Sequence, residues 1–224
     1  MPQNDTVAYY NKIMKNRLIA IGDLHGEIEK LNSLLDKLNL TKSDTVVFLG
    51  DYIDVGHNPK SVIERLIELQ KETNCIFLMG NHEDILLKVL KTKNQDDVEY
   101  WLSVGGVTTF DSYGDFFLPK YHVQFLKNLK LYYQTEKYFF VHAGIRPDKP
   151  LEEQEKEDFL WIRDNFIYKK HSLNQKVIFG HTPFYAPYID DDKIGINTNS
   201  GRGENEKLTA LICDENIFVT SDTL

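Results

Sequence analysis

The sequence predicts an α/β chain of two packed β-sheets with helices outside, an αββα sandwich. Two patterns lead to this reading. Residues 17–90 alternate short apolar runs with segments of helical apolar spacing, and residues 138–220 turn to a series of short strand-like runs. The 224 residues are 42% hydrophobic and 27% charged, which suits a globular chain long enough to bury a core.

Residues 17–21 read as a buried strand ending at Gly22, and Ile28, Leu31, Leu34, Leu35 and Leu38 then fall at helical spacing. Residues 45–49 form a second strand ending at Gly50. A helix carrying Val62, Ile63, Leu66, Ile67 and Leu69 follows, with Pro59 near its start. Residues 75–79 form a third strand ending at Gly80, and a helix spans 83–90. This β-α-β-α-β-α order predicts parallel strands joined by right-handed crossovers. Residues 96–129 read as a mostly helical cap with a loop around Gly105 and Gly106. Strands are then expected at 138–141, 177–179, 193–196, 208–213 and 217–220, with Asp214, Glu215 and Asn216 as a hairpin turn. Parallel strands early and antiparallel strands late imply two sheets. With no repeat or Pro/Gly-rich linker, the simplest division is a polar extension at 1–16 and one domain at 17–224.

The net charge of −8, without a long Lys/Arg cluster, argues against a nucleic-acid partner. No apolar run approaches the ~20 residues of a membrane span, and residues 1–16 lack the apolar core of a signal peptide, so a cytoplasmic location is expected. Cys75 and Cys213 sit in apolar strand-like runs and read as free thiols.

Each of the first three strands ends in glycine followed at once by a polar cluster: Gly22-Asp23-Leu24-His25-Gly26, Gly50-Asp51-Tyr52-Ile53-Asp54 and Gly80-Asn81-His82-Glu83. Two later strands end in Val141-His142-Ala143-Gly144 and Phe179-Gly180-His181. Ligands bind at the carboxyl ends of strands in α/β sheets, so five such ends should converge. Oxygen and imidazole donors without thiolate suit manganese, iron, zinc or related ions. A carboxylate can bridge two such ions, which together clamp a phosphoryl group and activate water.

These blocks resemble the phosphoprotein phosphatase branch of the calcineurin-like metallophosphoesterases. That family's pattern is Gly-Asp-x-His-Gly, Gly-Asp-x-x-Asp-Arg-Gly, Gly-Asn-His-Glu, His-Ala/Gly-Gly and Gly-His, and the chain carries five matching blocks in order from Gly22 to His181. Within the family it is most similar to small bacterial Ser/Thr protein phosphatases and dinucleoside tetraphosphate hydrolases. The resemblance implies the family's two mixed sheets flanked by helices and two divalent ions, manganese first, with iron, zinc, nickel or cobalt as other occupants. It implies that Asp23 and His25 hold one metal, that Asp51 bridges both, and that Asn81, His142 and His181 complete the second. His82 would act as general acid, oriented by Asp54. Asn81 and Arg163 would bind substrate phosphate. The implied reaction is metal-hydroxide attack on a phosphomonoester of a protein or small molecule, with a dinucleoside polyphosphate as the alternative substrate.

The chain departs from the pattern twice. Val55 stands where the family has a phosphate-gripping arginine, and Ile196-Asn197-Thr198-Asn199 replaces Ile-Asp-Thr-Gly. Both changes are expected on the substrate side. Arg202 is a compositional candidate to supply the missing guanidinium. A non-catalytic metal-binding descendant is the competing class, but a pure binder has no need of the His82–Asp54 pair.

Blander readings apply elsewhere. His82 could cap a helix, Asp54 could be a loop carboxylate, and Arg163 lies in a charged helix-like stretch at 152–165. Trp101, Tyr113 and Phe116 read as core rather than substrate platform. Asp190, Asp191 and Asp192 read as a solvated turn, and His57, His122 and His171 as surface or core histidines.

Overall fold

The computed structural model describes residues 16–114, 118–199 and 206–221. Strand β1 (Leu18–Ile21), helix α1 (Ile28–Leu38), β2 (Thr45–Phe48), α2 (Pro59–Leu69), β3 (Asn74–Phe77) and α3 (Asn81–Thr92) alternate as their apolar spacing predicts. On α1 the buried face is Leu31, Leu34, Leu35 and Leu38, each contributing about 1.5–3 kcal/mol of apolar burial. Asn39, in the left-handed region, ends that helix by donating its N–H to Leu35 O. Pro59 opens α2, where its missing N–H leaves no bond unmade. Strand β3 ends before residue 79: Leu78 N still bonds Phe48 O of β2, but Leu78 also bridges Lys130 and Met79 N donates to Lys130 O.

The first sheet runs β10-β9-β1-β2-β3, with β9 (Thr209–Ile212) and β10 (Ile217–Thr220) forming the expected antiparallel hairpin. The second runs β4-β5-β6-β8-β7, built from β4 (Tyr132–Gln134), β5 (Tyr138–Val141), β6 (Lys176–Phe179), β7 (Tyr188–Ile189) and β8 (Lys193–Gly195). Strands β5, β6 and β8 are parallel, a correction to the expectation of antiparallel strands throughout the second half. Helices α7 (Lys156–Trp161) and α8 (Asp164–Ile167) lie on the crossover from β5 to β6, which lets both strands run the same way. β4 and β7 are not legible in the sequence, because three and two residues carry no periodicity.

The two sheets pack face to face through Ala20, Val47, Phe140, Ile178 and Leu211, as the αββα expectation required. Helices cover each outer face, with α1 and α2 on the first sheet and Phe159, Phe166 and Ile167 on the second. Residues 95–113 and 120–127 form α4 (Gln95–Trp101), a wide π-type turn at Leu102–Gly106 kinked at Gly105 (φ 121°), α5 (Val107–Tyr113) and α6 (Lys120–Lys127). The loop expected at Gly105 and Gly106 is this π-type turn. Among the described residues no helix is long and apolar enough to cross a membrane.

Candidate metal centre

The six parallel strands deliver their carboxyl ends to one edge of the sandwich. Asp23, Asp51, Asn81, His142 and His181 each stand just past such an end, and all five are buried. Close packing dictates the glycines beside them. A Cβ on Gly80 would lie 2.1 Å from Asp51 Oδ1, and one on Gly180 would lie 2.2 Å from Asp23 Oδ1. Five of the nine non-glycine residues with positive φ among the described residues cluster here: His25, Asp51, Asp54, Val55 and His181. Backbone held in sparsely populated regions concentrates at functional sites.

Two groups of donors have ligand atoms within 4.8 Å of one another: His25, Asp51 and His82, and Asp51, His142 and His181. Asp51 belongs to both, with Oδ2 3.7 Å from His25 Nε2 and Oδ1 3.5 Å from His142 Nε2. Asp23 stands in neither group; its carboxylate accepts from the His181 N–H at 3.1 Å and from Asn197 Nδ2 at 2.7 Å. His25 Nδ1 lies 3.2 Å from Ile53 O and His142 Nδ1 2.8 Å from Leu49 O. Each ring can donate there, which leaves its Nε2 lone pair facing the cluster.

The protonation states suit cations. Burial drives the His25 imidazole down to about 4, and burial with His142 alongside drives His181 to about 2. Both are therefore neutral donors at pH 7. Burial alone would raise the Asp51 carboxyl, but the imidazoles around it, His142 first, hold it well below the usual carboxylate range. Asp23 is raised, by burial and then by Asp51. His181 Nε2 is buried with no hydrogen-bond partner. His142 Nε2 faces the Asn81 carbonyl oxygen at 3.0 Å, two acceptors opposed when Nδ1 carries the proton. An orphaned ring nitrogen, opposed lone pairs and an ionised carboxylate shared by two groups fit a pair of divalent cations.

His82 lies beside this cluster, with Nδ1 2.8 Å from Asp54 Oδ2. Burial alone would lower its imidazole; Asp51 and then Asp54 outweigh that and carry it to about 9. Asp54 is fully buried and also accepts from Trp101 Nε1 and Thr109 Oγ1. A cleft of about 160 Å³ opens on His82 and the donors, and Val55, Arg163 and Asn197 line it as well. Arg163 is not inside a helix, because residues 152–165 break between α7 and α8 at this residue.

Three contributors were not assigned a role from sequence. Glu83 Oε2 accepts from Asp51 N at 2.9 Å and Gly80 N at 3.0 Å, while Oε1 accepts from Tyr52 N at 2.8 Å, so one carboxylate ties the β2 loop to the start of α3. Asn197 lines the cleft, on the side expected for its segment, and also bonds Asp23; its place just after β8, like the donors after their own strands, was the available signal for that second contact. Trp101 is buried, as the core reading had it, but its ring N–H serves Asp54. Tyr113 bonds the buried His122, and His57 is exposed. The acidic run is the β7–β8 turn, with Asp192 paired to the buried Lys193. Cys75 and Cys213 are free thiols. Phe116, Arg202 and residues 1–15 lie outside the described residues.

Two face-to-face sheets that gather carboxylate, amide and imidazole donors at their strand ends define a metal-dependent hydrolase. The calcineurin-like phosphoesterase family model matches residues 16–214, and the chain belongs to that family. The bis(5'-nucleosyl)-tetraphosphatase PrpE of Oceanobacillus iheyensis is 26% identical over 89% of this chain and 90% of its own length. Serine/threonine-protein phosphatase 2 of Escherichia coli is 28% identical over 81% and 88%. A solved structure assigned to a diadenosine tetraphosphatase shares the fold at a TM-score of 0.72, with 21% identity over 92% of this chain and 93% of its own.

Proposed function

We propose that this chain is a phosphomonoesterase of the protein-phosphatase type that works with two divalent cations, manganese first. When bound, the cations polarise the phosphoryl group and make water acidic enough to attack it at neutral pH. Asp23, His25 and Asp51 would hold one ion, and Asp51, Asn81, His142 and His181 the other. Arg163 and the Asn81 amide would grip phosphate oxygens, fixing the ester in line for displacement.

The observation that carries the catalytic reading is the His82–Asp54 pair at 2.8 Å. Nδ1 is committed to Asp54, so Nε2 is the nitrogen free to donate a proton to the departing oxygen. With Asp51 committed to cations, Asp54 is the counter-charge that keeps His82 protonated. A second substrate class, dinucleoside polyphosphates, is favoured by the named activity of the PrpE relative and by Val55, which leaves the cleft without one guanidinium. A hydrolysis screen with added manganese separates the two. Release of inorganic phosphate from phosphopeptides and aryl phosphates is expected. Turnover of dinucleoside polyphosphates alone would transfer the assignment to the second class, and no turnover of any ester would overturn it.

A further inference from the structure

Asp54 and Val55 are consecutive non-glycine residues in the left-handed region, at φ 65° and 69°. That conformation is disfavoured for any L-residue and most of all for a β-branched one. The segment from α4 to α5 holds both backbones in place. Asp54 N donates to Thr109 Oγ1 at 2.9 Å, and Val55 N donates to Gly105 O at 3.1 Å. The approach is so close that a Cβ on Gly105 would lie 2.7 Å from Val55 Cγ2.

The same segment fixes the Asp54 side chain. Trp101 Nε1 lies 3.1 Å from both Asp54 oxygens, and Thr109 Oγ1 donates to Oδ1 at 2.6 Å. Thr109 thus accepts from the backbone of Asp54 and donates to its carboxylate with one hydroxyl, while Oδ2 remains for His82 Nδ1. Carboxylate, hydroxyl and indole are all buried, so rotating the carboxylate would strand donors that water cannot reach. Apolar residues of the same shape would fill the space but leave the buried Asp54 N–H and carboxylate without these partners. What the hydroxyl and the indole N–H add is direction.

Resting on the phosphoesterase reading above, we propose that Trp101 and Thr109 are positioning residues for the acid: they lock the Asp54 carboxylate in the orientation that aims His82 Nε2 into the cleft. Neither touches substrate, so their effect on turnover must pass through His82.

The test uses the full chain with manganese and a series of aryl phosphates of differing leaving-group acidity. Thr109→Val and Trp101→Phe should retain their metal content and lose about 10–100-fold in kcat on phenyl phosphate, the usual cost of removing a residue that orients a reactive group. The loss should be smaller on nitrophenyl phosphate, which needs little protonation. Thr109→Ser keeps the hydroxyl and should restore most of the rate. In a His82→Asn background, Thr109→Val should cost nothing further, because the group it positions is gone. With diamagnetic zinc in place of manganese, the His82 Nδ1 proton should give a downfield NMR signal in the wild type and in Thr109→Ser that shifts or vanishes in Thr109→Val. A loss equal for all leaving groups, or undiminished in the His82→Asn background, would overturn the proposal. If the wild type hydrolyses no phosphoester, the functional reading falls by itself. The NMR signal then decides, and an unchanged signal in Thr109→Val overturns the positioning role.

Discussion

Asn197 Nδ2 donates to Asp23 Oδ2 across 2.7 Å, tying the segment after β8 to a carboxylate of the candidate metal centre. Asp23 is buried beside a second carboxylate, which raises its carboxyl, and depends on such donors to stay oriented. Asn197→Ala should therefore weaken retention of one metal about 10–100-fold with the fold intact. Metal titration followed by calorimetry checks this, and unchanged affinity would show that Asp23 needs no such support.

Asp51 is the one carboxylate shared by both donor groups. Asp51→Asn removes its charge while keeping its shape. Loss of one or both metals and near-total loss of hydrolysis are expected. Elemental analysis that still found two full metal equivalents would refute the bridging role.

His82→Asn leaves the donors of Asp23, Asp51 and His181 in place. Metal content should stay near wild type while turnover falls roughly 10²–10⁴-fold, the range for a positioned acid. The fall should shrink on nitrophenyl phosphate; equal impairment on good and poor leaving groups would remove His82 from that role.

Val55 lines the cleft with no charge to offer a phosphate oxygen. A charge-assisted contact is worth about 1.5–3 kcal/mol. Val55→Arg should accordingly raise kcat/KM on a simple aryl phosphate by about tenfold, metal content unchanged. A folded variant with equal or lower activity would mean that the cleft is built around valine, whose Cγ2 already packs on Gly105.

Away from the site, Arg17 and Asp44 form a buried ion pair at 2.7 Å that joins the starts of β1 and β2. Burial would raise the Asp44 carboxyl, but donors from Arg17 and Thr41 outweigh it and hold it below the usual carboxylate value. A depressed carboxyl stabilises the fold above its unfolded value of 3.8 and ceases to as pH falls through the folded one. Asp44→Asn should cost about 3–5 kcal/mol at pH 7, since the buried Arg17 guanidinium loses its counter-charge. Urea denaturation should find that gap narrowing below pH ~4. A gap that stayed constant with pH would mean that the pair contributes by shape alone.

The sequence by itself determined the fold class and singled out the candidate donors. Strands with apolar spacing must be buried, and a glycine followed by a polar residue at a strand's end marks a place where backbone approaches a ligand. Asp23, His25, Asp51, Asn81, His142 and His181 stand in polar clusters at the ends of strands that their own periodicity reveals, and the family resemblance is what implies their roles as ligands. Only the tertiary structure decided the rest, because it depends on contacts between segments far apart in the chain. Nothing local to Trp101 or Thr109 reports that they meet Asp54, 47 and 55 residues away. Nothing near Asn197 reports a partner 174 residues earlier. Hydrophobic spacing encodes which face of an element is buried; which polar atom it meets there is settled only when the elements pack.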